Sequence, residues 1–137
     1  MVESRNISQM VKKSPAPHVL VVDDEALIRW SLSETLSDRG YFVEESGDGS
    51  AARTAVHNAA RSFDVIMLDF RLPDSEDLSL LASLRKASPR TRIILMTAFG
   101  TPDVVRGALE LGAYRVVNKP FEMQEVADLV AEAAAVE

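Results

Sequence analysis

The stretch "VLVVDDEA", residues 19–26, runs four apolar residues into three carboxylates without a gap. Val19, Leu20, Val21 and Val22 read as a short strand buried on both faces, because no polar residue alternates with the apolar ones. Asp23, Asp24 and Glu25 follow directly. A chain that ends a core strand in acids places charge at the rim of its sheet.

Four more runs share the pattern: "YFVEES", "FDVIMLD", "RIILMTA" and "RVVNKP", the first being "HVLVVD". Their spacing is that of one strand, one helix and two turns. Between them apolar residues recur at helical intervals. Ala52, Ala55, Val56 and Ala59 form one such face, and Val126, Leu129, Val130 and Ala133 another. Gly40 and Gly112 stand where a left-handed residue ends a helix. Thr101-Pro102-Asp103 reads as a hydroxyl cap, a first-turn proline and an acid on the helix dipole. The chain therefore reads as (βα)₅, an α/β fold with a parallel sheet covered by helices on both faces.

Length and composition agree. The chain has 137 residues and a net charge of −6, suited to one domain and not to a general binder of nucleic acid or anionic membrane. It has no cysteine, which excludes disulfides, thiol catalysis and cysteine-zinc sites. It has no signal-type or membrane-spanning apolar run. A cytoplasmic location is expected. Residues 1–17, ending in "KKSPAP", read as a disordered or extended leader before a domain over 18–137.

In an open parallel sheet, ligands bind beyond the carboxyl ends of the strands. Asp23 and Asp24 end the first strand, Asp69 the third, Thr97 the fourth and Lys119 the fifth. Three acids together repel, and one lysine does not balance them. Such an all-oxygen cluster suits a hard divalent cation, Mg²⁺ above all. Carboxylates, Mg²⁺, a lysine and a hydroxyl form a phosphoryl-handling set in which an Asp can be the nucleophile. Glu25 is read as a first-turn acid on the helix dipole, His18 and His57 as surface or edge histidines, and Trp30 as a core or helix-packing aromatic.

"VVDDE", "MLDFRLPD", "MTAFG" and "NKPF" together resemble the receiver domain of bacterial two-component response regulators, over Pro17 to about Ala134. The resemblance implies a flavodoxin-like fold with strand order 2-1-3-4-5. It implies that Asp69 accepts a phosphoryl group from a histidine kinase or histidine phosphotransfer protein, with Thr97 and Lys119 binding that group. Asp24, Asp69 and the backbone carbonyl of Arg71 would hold Mg²⁺, with Asp23 acting through water. The Lys119–Pro120 peptide would be cis. The helix 4–strand 5–helix 5 face would be the output surface. Such a domain is not an enzyme acting on other molecules; it assists only its own phosphorylation and dephosphorylation.

Three positions depart from the family pattern. Val116 stands where an aromatic usually swings inward, so switching through Thr97 must use the following loop, helix four or Phe99. Asp77 replaces a usual glycine, and modest left-handed strain is expected there. Arg71 and Phe99 follow Asp69 and Thr97 by two residues, where they govern water access to a phosphoryl group. The tail "AEAAAVE" is helix-favouring, as in a linker into an effector domain, and a phosphorylation-linked homodimer is a further partner. Two rivals stand beside this reading. One is a pseudo-receiver that is never phosphorylated. The other is a Mg²⁺-dependent aspartyl-phosphate hydrolase, which lacks its second Asp because Arg71 occupies that place.

Overall fold

A computed structural model describes residues 16–136. Ten elements alternate along the chain: β1 (His18–Val22), α1 (Ala26–Asp38), β2 (Phe42–Ser46), α2 (Gly49–Asn58), β3 (Val65–Asp69), α3 (Ser79–Ala87), β4 (Arg92–Thr97), α4 (Pro102–Glu110), β5 (Arg115–Asn118) and α5 (Met123–Ala134). The strands form one five-stranded sheet in the order β2-β1-β3-β4-β5, all pairs parallel. This is the flavodoxin-like order that the family resemblance implies. The leader expected over residues 1–17 lies outside the described residues except for Ala16 and Pro17. Pro17 is not free, since its carbonyl accepts from Phe42 N at 2.9 Å.

Strand side chains alternate between two faces, and each face is a separate core. Leu20, Val22, Ile66, Leu68, Ile93 and Leu95 point to one side and pack on Ala52 of α2, Leu80, Leu81 and Leu84 of α3, and Ala108 of α4. Val19, Val21, Val65, Met67, Ile94 and Met96 point to the other and pack on Leu32 and Leu36 of α1 and Val126 and Val130 of α5. Each fully buried aliphatic side chain contributes about 1.5–3 kcal/mol. The central strands thus form a rigid apolar platform whose carboxyl ends are free to carry polar groups.

Helix ends follow local chemistry. Thr101 Oγ1 accepts from Val104 N at 3.3 Å, and Asp48 Oδ1 accepts from Ala51 N at 2.7 Å. Gly40 and Gly112 adopt φ of 90° and 96°, which glycine adopts without a side-chain clash. Helix α5 ends at Ala134, and Ala135 N closes its last turn onto Ala131 O at 3.2 Å. Among the described residues no helix is long and apolar enough to cross a membrane.

Three sequence readings are corrected here. Trp30 is 57% exposed, because α1 turns Leu32 and Leu36 inward and leaves Leu27 and Trp30 outside. His18 is buried; its ring lies between Phe42 and Phe63 and Nε2 meets Glu44 Oε2 at 2.6 Å. His57 is exposed, as expected. Asp77 carries no left-handed strain, since no described residue other than glycine has positive φ. Its Oδ1 instead accepts from Ser79 N at 2.9 Å.

Candidate functional site: an acidic pocket at the carboxyl edge

The parallel ladders continue one residue past the strand ends, and this positions the site. Asp23 N donates to Ser46 O at 3.1 Å, Phe70 N to Met96 O at 2.8 Å, and Lys119 N to Thr97 O at 2.8 Å. The acids and the lysine therefore hang from hydrogen-bonded backbone. Asp23, Asp24 and Asp69 each offer an oxygen within 4.8 Å of the others. Asp23 is fully buried and Asp69 nearly so, while Asp24 is exposed. A cavity of about 300 Å³ opens here, lined by Asp24, Asp69, Arg71, Thr97 and Lys119 among others.

Lys119 bridges the cluster. Its Nζ donates to Asp23 Oδ2 at 2.8 Å and lies 3.3 Å from both Asp69 Oδ2 and Glu25 Oε1. Glu25 stands at the N-terminus of α1, as the helix-dipole reading has it, and it also joins the site. It occupies the N-cap position of α1 without a side-chain cap bond, and its carboxylate turns to the lysine instead. The peptide joining Lys119 to Pro120 is cis.

Electrostatics follow from this crowding. Burial, reinforced by the Asp23 charge, pushes the Asp69 carboxyl up to about 6, against the opposing pull of Lys119. Burial also works against the Lys119 ammonium, but the hydrogen bond to Asp23 and the charges of Asp23 and Asp69 outweigh it and its pKa is raised. The lysine stays charged. One ammonium faces four carboxylates, so the pocket has an excess of negative charge and hard oxygen donors, a set that fits a hard divalent cation.

Thr97 is buried, and its Oγ1 accepts from Phe99 N at 3.1 Å. Arg71 stands over the exposed Phe99 ring, Cζ 5.9 Å from the centroid. Val116 pairs in register with Leu95 and packs half-buried on the α2–α4 core. Gly100 lies so close to the Asn118 side chain that an added Cβ would meet its amide oxygen.

Sequence reasoning missed two supporting residues. Arg29 Nη1 donates to Asp23 O at 2.6 Å and Arg29 Nε to Glu45 Oε1 at 3.0 Å, fixing the acidic turn to α1 and β2. Asp74 accepts from Gly49 N at 2.8 Å and Ser50 N at 3.0 Å, so the loop after Asp69 caps α2. Asp74 lay in the motif "MLDFRLPD", but its partners are 24 and 25 positions away. A larger hollow of about 540 Å³ lies by His18 and Phe42, at the other end of the sheet. It is lined by one carboxylate, Glu44, and by no lysine, so the convergent acids and ammonium, not size, single out the carboxyl edge.

A sequence model of the response regulator receiver domain matches residues 19–131. The chain belongs to the response regulator receiver family. This receiver is 31% identical over 112 residues to sporulation initiation phosphotransferase F of Bacillus subtilis, covering 82% of this chain and 89% of that protein. It is 33% identical over 115 residues to the DNA-binding transcriptional regulator NtrC of Salmonella typhimurium, covering 84% of this chain but only 24% of NtrC. The receiver thus spans about a quarter of that regulator's length. A solved CheY-like receiver domain protein from Methanospirillum hungatei superposes with a TM-score of 0.82 at 25% identity, over 88% of this chain and 94% of that one. The receiver's relatives act in two-component signalling as regulators.

Proposed function

We propose that this chain is a phosphorylatable receiver that takes a phosphoryl group onto Asp69. One observation carries the reading. Asp69 ends a core strand, shares a metal-sized acidic cluster with Asp23 and Asp24, and lies 3.3 Å from the Lys119 ammonium. An ordinary strand-end acid has no such company.

In this reading an ionised Asp69 oxygen attacks the phosphorus of a phosphohistidine on a partner protein. The new O–P bond forms as the P–N bond breaks, and the imidazole leaves with the electron pair and takes up a proton. With its carboxyl titrating near 6, Asp69 is ionised at neutral pH and nucleophilic. Lys119 pairs with the transferred group, and the Thr97 hydroxyl donates to one of its oxygens. Asp23, Asp24, Asp69 and the Arg71 carbonyl would hold Mg²⁺. When bound, the ion supplies charge neutralisation to the carboxylates and phosphoryl oxygens.

The partner is a histidine kinase or histidine phosphotransfer protein of the cytoplasm. Leu27 and Trp30, both exposed on α1, support an apolar landing surface beside the pocket. Phosphorylation shifts the equilibrium of the β4–α4 loop and the α4–β5–α5 face. An effector domain following this chain, or a homodimer formed through that face, receives the signal.

Val116 favours one competing reading, a receiver-like module that works without phosphorylation, because valine cannot make the inward swing of an aromatic. Intact mass after incubation with Mg²⁺ and acetyl phosphate separates the two. An adduct that requires both Mg²⁺ and Asp69, absent from Asp69→Asn, supports phosphorylation. Failure to form an adduct, together with failure to bind beryllofluoride, overturns it.

A further inference from the structure

Phe99 is 71% exposed, yet it is held at two points. Its backbone N–H donates to Thr97 Oγ1 at 3.1 Å. Its ring lies 5.9 Å from Arg71 Cζ, in cation–π range. Both holders line the acidic cavity, and Arg71 N also lies 3.4 Å from Asp69 Oδ1. A single exposed aromatic is thus tethered by two residues that line the cavity around Asp69.

The two tethers are of the kind such a group would break. An exposed cation–π contact is weaker than a guanidinium–phosphoryl hydrogen bond, which is charge-assisted and can be bidentate. A hydroxyl can accept one hydrogen bond while it donates another, so it is the swing of Oγ1 about Cα–Cβ, not the use of its proton, that would free the Phe99 amide. Turned toward a phosphoryl oxygen, Thr97 Oγ1 moves away from Phe99 N. Val116 offers no alternative lever, since it sits packed on the core in register with Leu95.

We propose that Phe99 reports the occupancy of Asp69 in this chain. The phosphoryl group draws the Arg71 guanidinium off the ring and the Thr97 hydroxyl off the amide. The Phe99 ring and the loop leading to α4 are then released together. The proposal rests on the phosphorylation reading above and names its route of output. Differential engagement of Arg71 and Thr97 in the two states sets how far the population shifts.

The test uses a Trp30→Phe, Phe99→Trp chain, in which residue 99 is the sole tryptophan because the natural sequence has one. Beryllofluoride with Mg²⁺ is the probe, and fluorine NMR reports whether it is bound. On binding, acrylamide quenching of residue 99 rises by up to about 1.4-fold, the room left to a side chain already 71% exposed, as the guanidinium leaves its ring, and emission moves to the red. In an added Arg71→Gln background quenching is already high, and beryllofluoride adds little. In the unsubstituted chain, the Phe99 amide loses protection from hydrogen exchange on the same addition. Bound beryllofluoride with unchanged quenching and unchanged amide exchange overturns the proposal while leaving the phosphorylation reading intact. Absence of bound beryllofluoride overturns that reading and the proposal with it.

Discussion

Lys119 Nζ donates to Asp23 Oδ2 at 2.8 Å, although 96 positions separate the two residues. The ammonium occupies the charge balance that a metal ion would otherwise supply, and it competes electrostatically with that ion. Lys119→Met should therefore tighten Mg²⁺ binding by about 3–10-fold, from Coulomb's law at high effective dielectric. The same substitution should weaken beryllofluoride binding, because the phosphoryl-side cation is gone. Calorimetric titration of both ligands checks this, and weaker Mg²⁺ binding in the variant would refute it.

Asp69 makes metal-free stability depend on pH in an unusual direction. Its carboxyl is raised from 3.8 to about 6 by burial and by Asp23, so between those values the folded state binds more protons than the unfolded state. Stability from this group is present at low pH and falls as pH rises through about 6. Asp69→Asn should therefore be more stable than the parent at pH 7.5, by roughly 1–2 kcal/mol after discounting for solvent, and this advantage should vanish by pH 4. Urea unfolding of both chains in a chelator measures it.

Asp74 acts in the opposite sense. Hydrogen bonds from Gly49 N and Ser50 N hold its carboxyl below the usual carboxylate range. Its contribution is present above the ordinary pKa and lost as pH falls below it. Asp74→Ala should lower Tm by a few degrees at neutral pH, with the difference narrowing in acid. Hydrogen exchange should localise the loosening to the first turn of α2. An equal Tm for the two chains at pH 7 would contradict the cap.

Arg71 stands at the pocket mouth, two residues beyond Asp69. A guanidinium paired with the phosphoryl group would shield it from water. Arg71→Ala should shorten the aspartyl-phosphate lifetime by about 3–10-fold, a barrier change of order 1 kcal/mol. Decay of the phosphorylated mass in Mg²⁺ buffer is the measurement. An unchanged lifetime would leave Arg71 without a shielding role.

Much of this was legible from the chain. Val19–Val22, Val65–Leu68 and Ile93–Met96 are uninterrupted apolar runs because helices cover both faces of their strands. Thr101, Gly40 and Gly112 marked helix ends because capping is local chemistry, complete within a few residues. The convergence of Asp23, Asp24, Asp69, Thr97 and Lys119 followed from knowing which end of each strand they occupy.

The sequence by itself determined the alternation of elements, the two-faced burial of the sheet and the set of residues at its carboxyl edge, since these rest on periodicity and strand direction. Only the tertiary structure decided how that edge is wired. Glu25 reached Lys119 from the helix N-terminus, Arg29 anchored the Asp23 carbonyl, Asp74 reached across to α2, Trp30 faced outward and His18 was buried between two phenylalanine rings. Each of these depends on contacts between segments distant in sequence or on the rotation of a helix about its axis. A pattern of residue types along one strand or helix carries neither quantity.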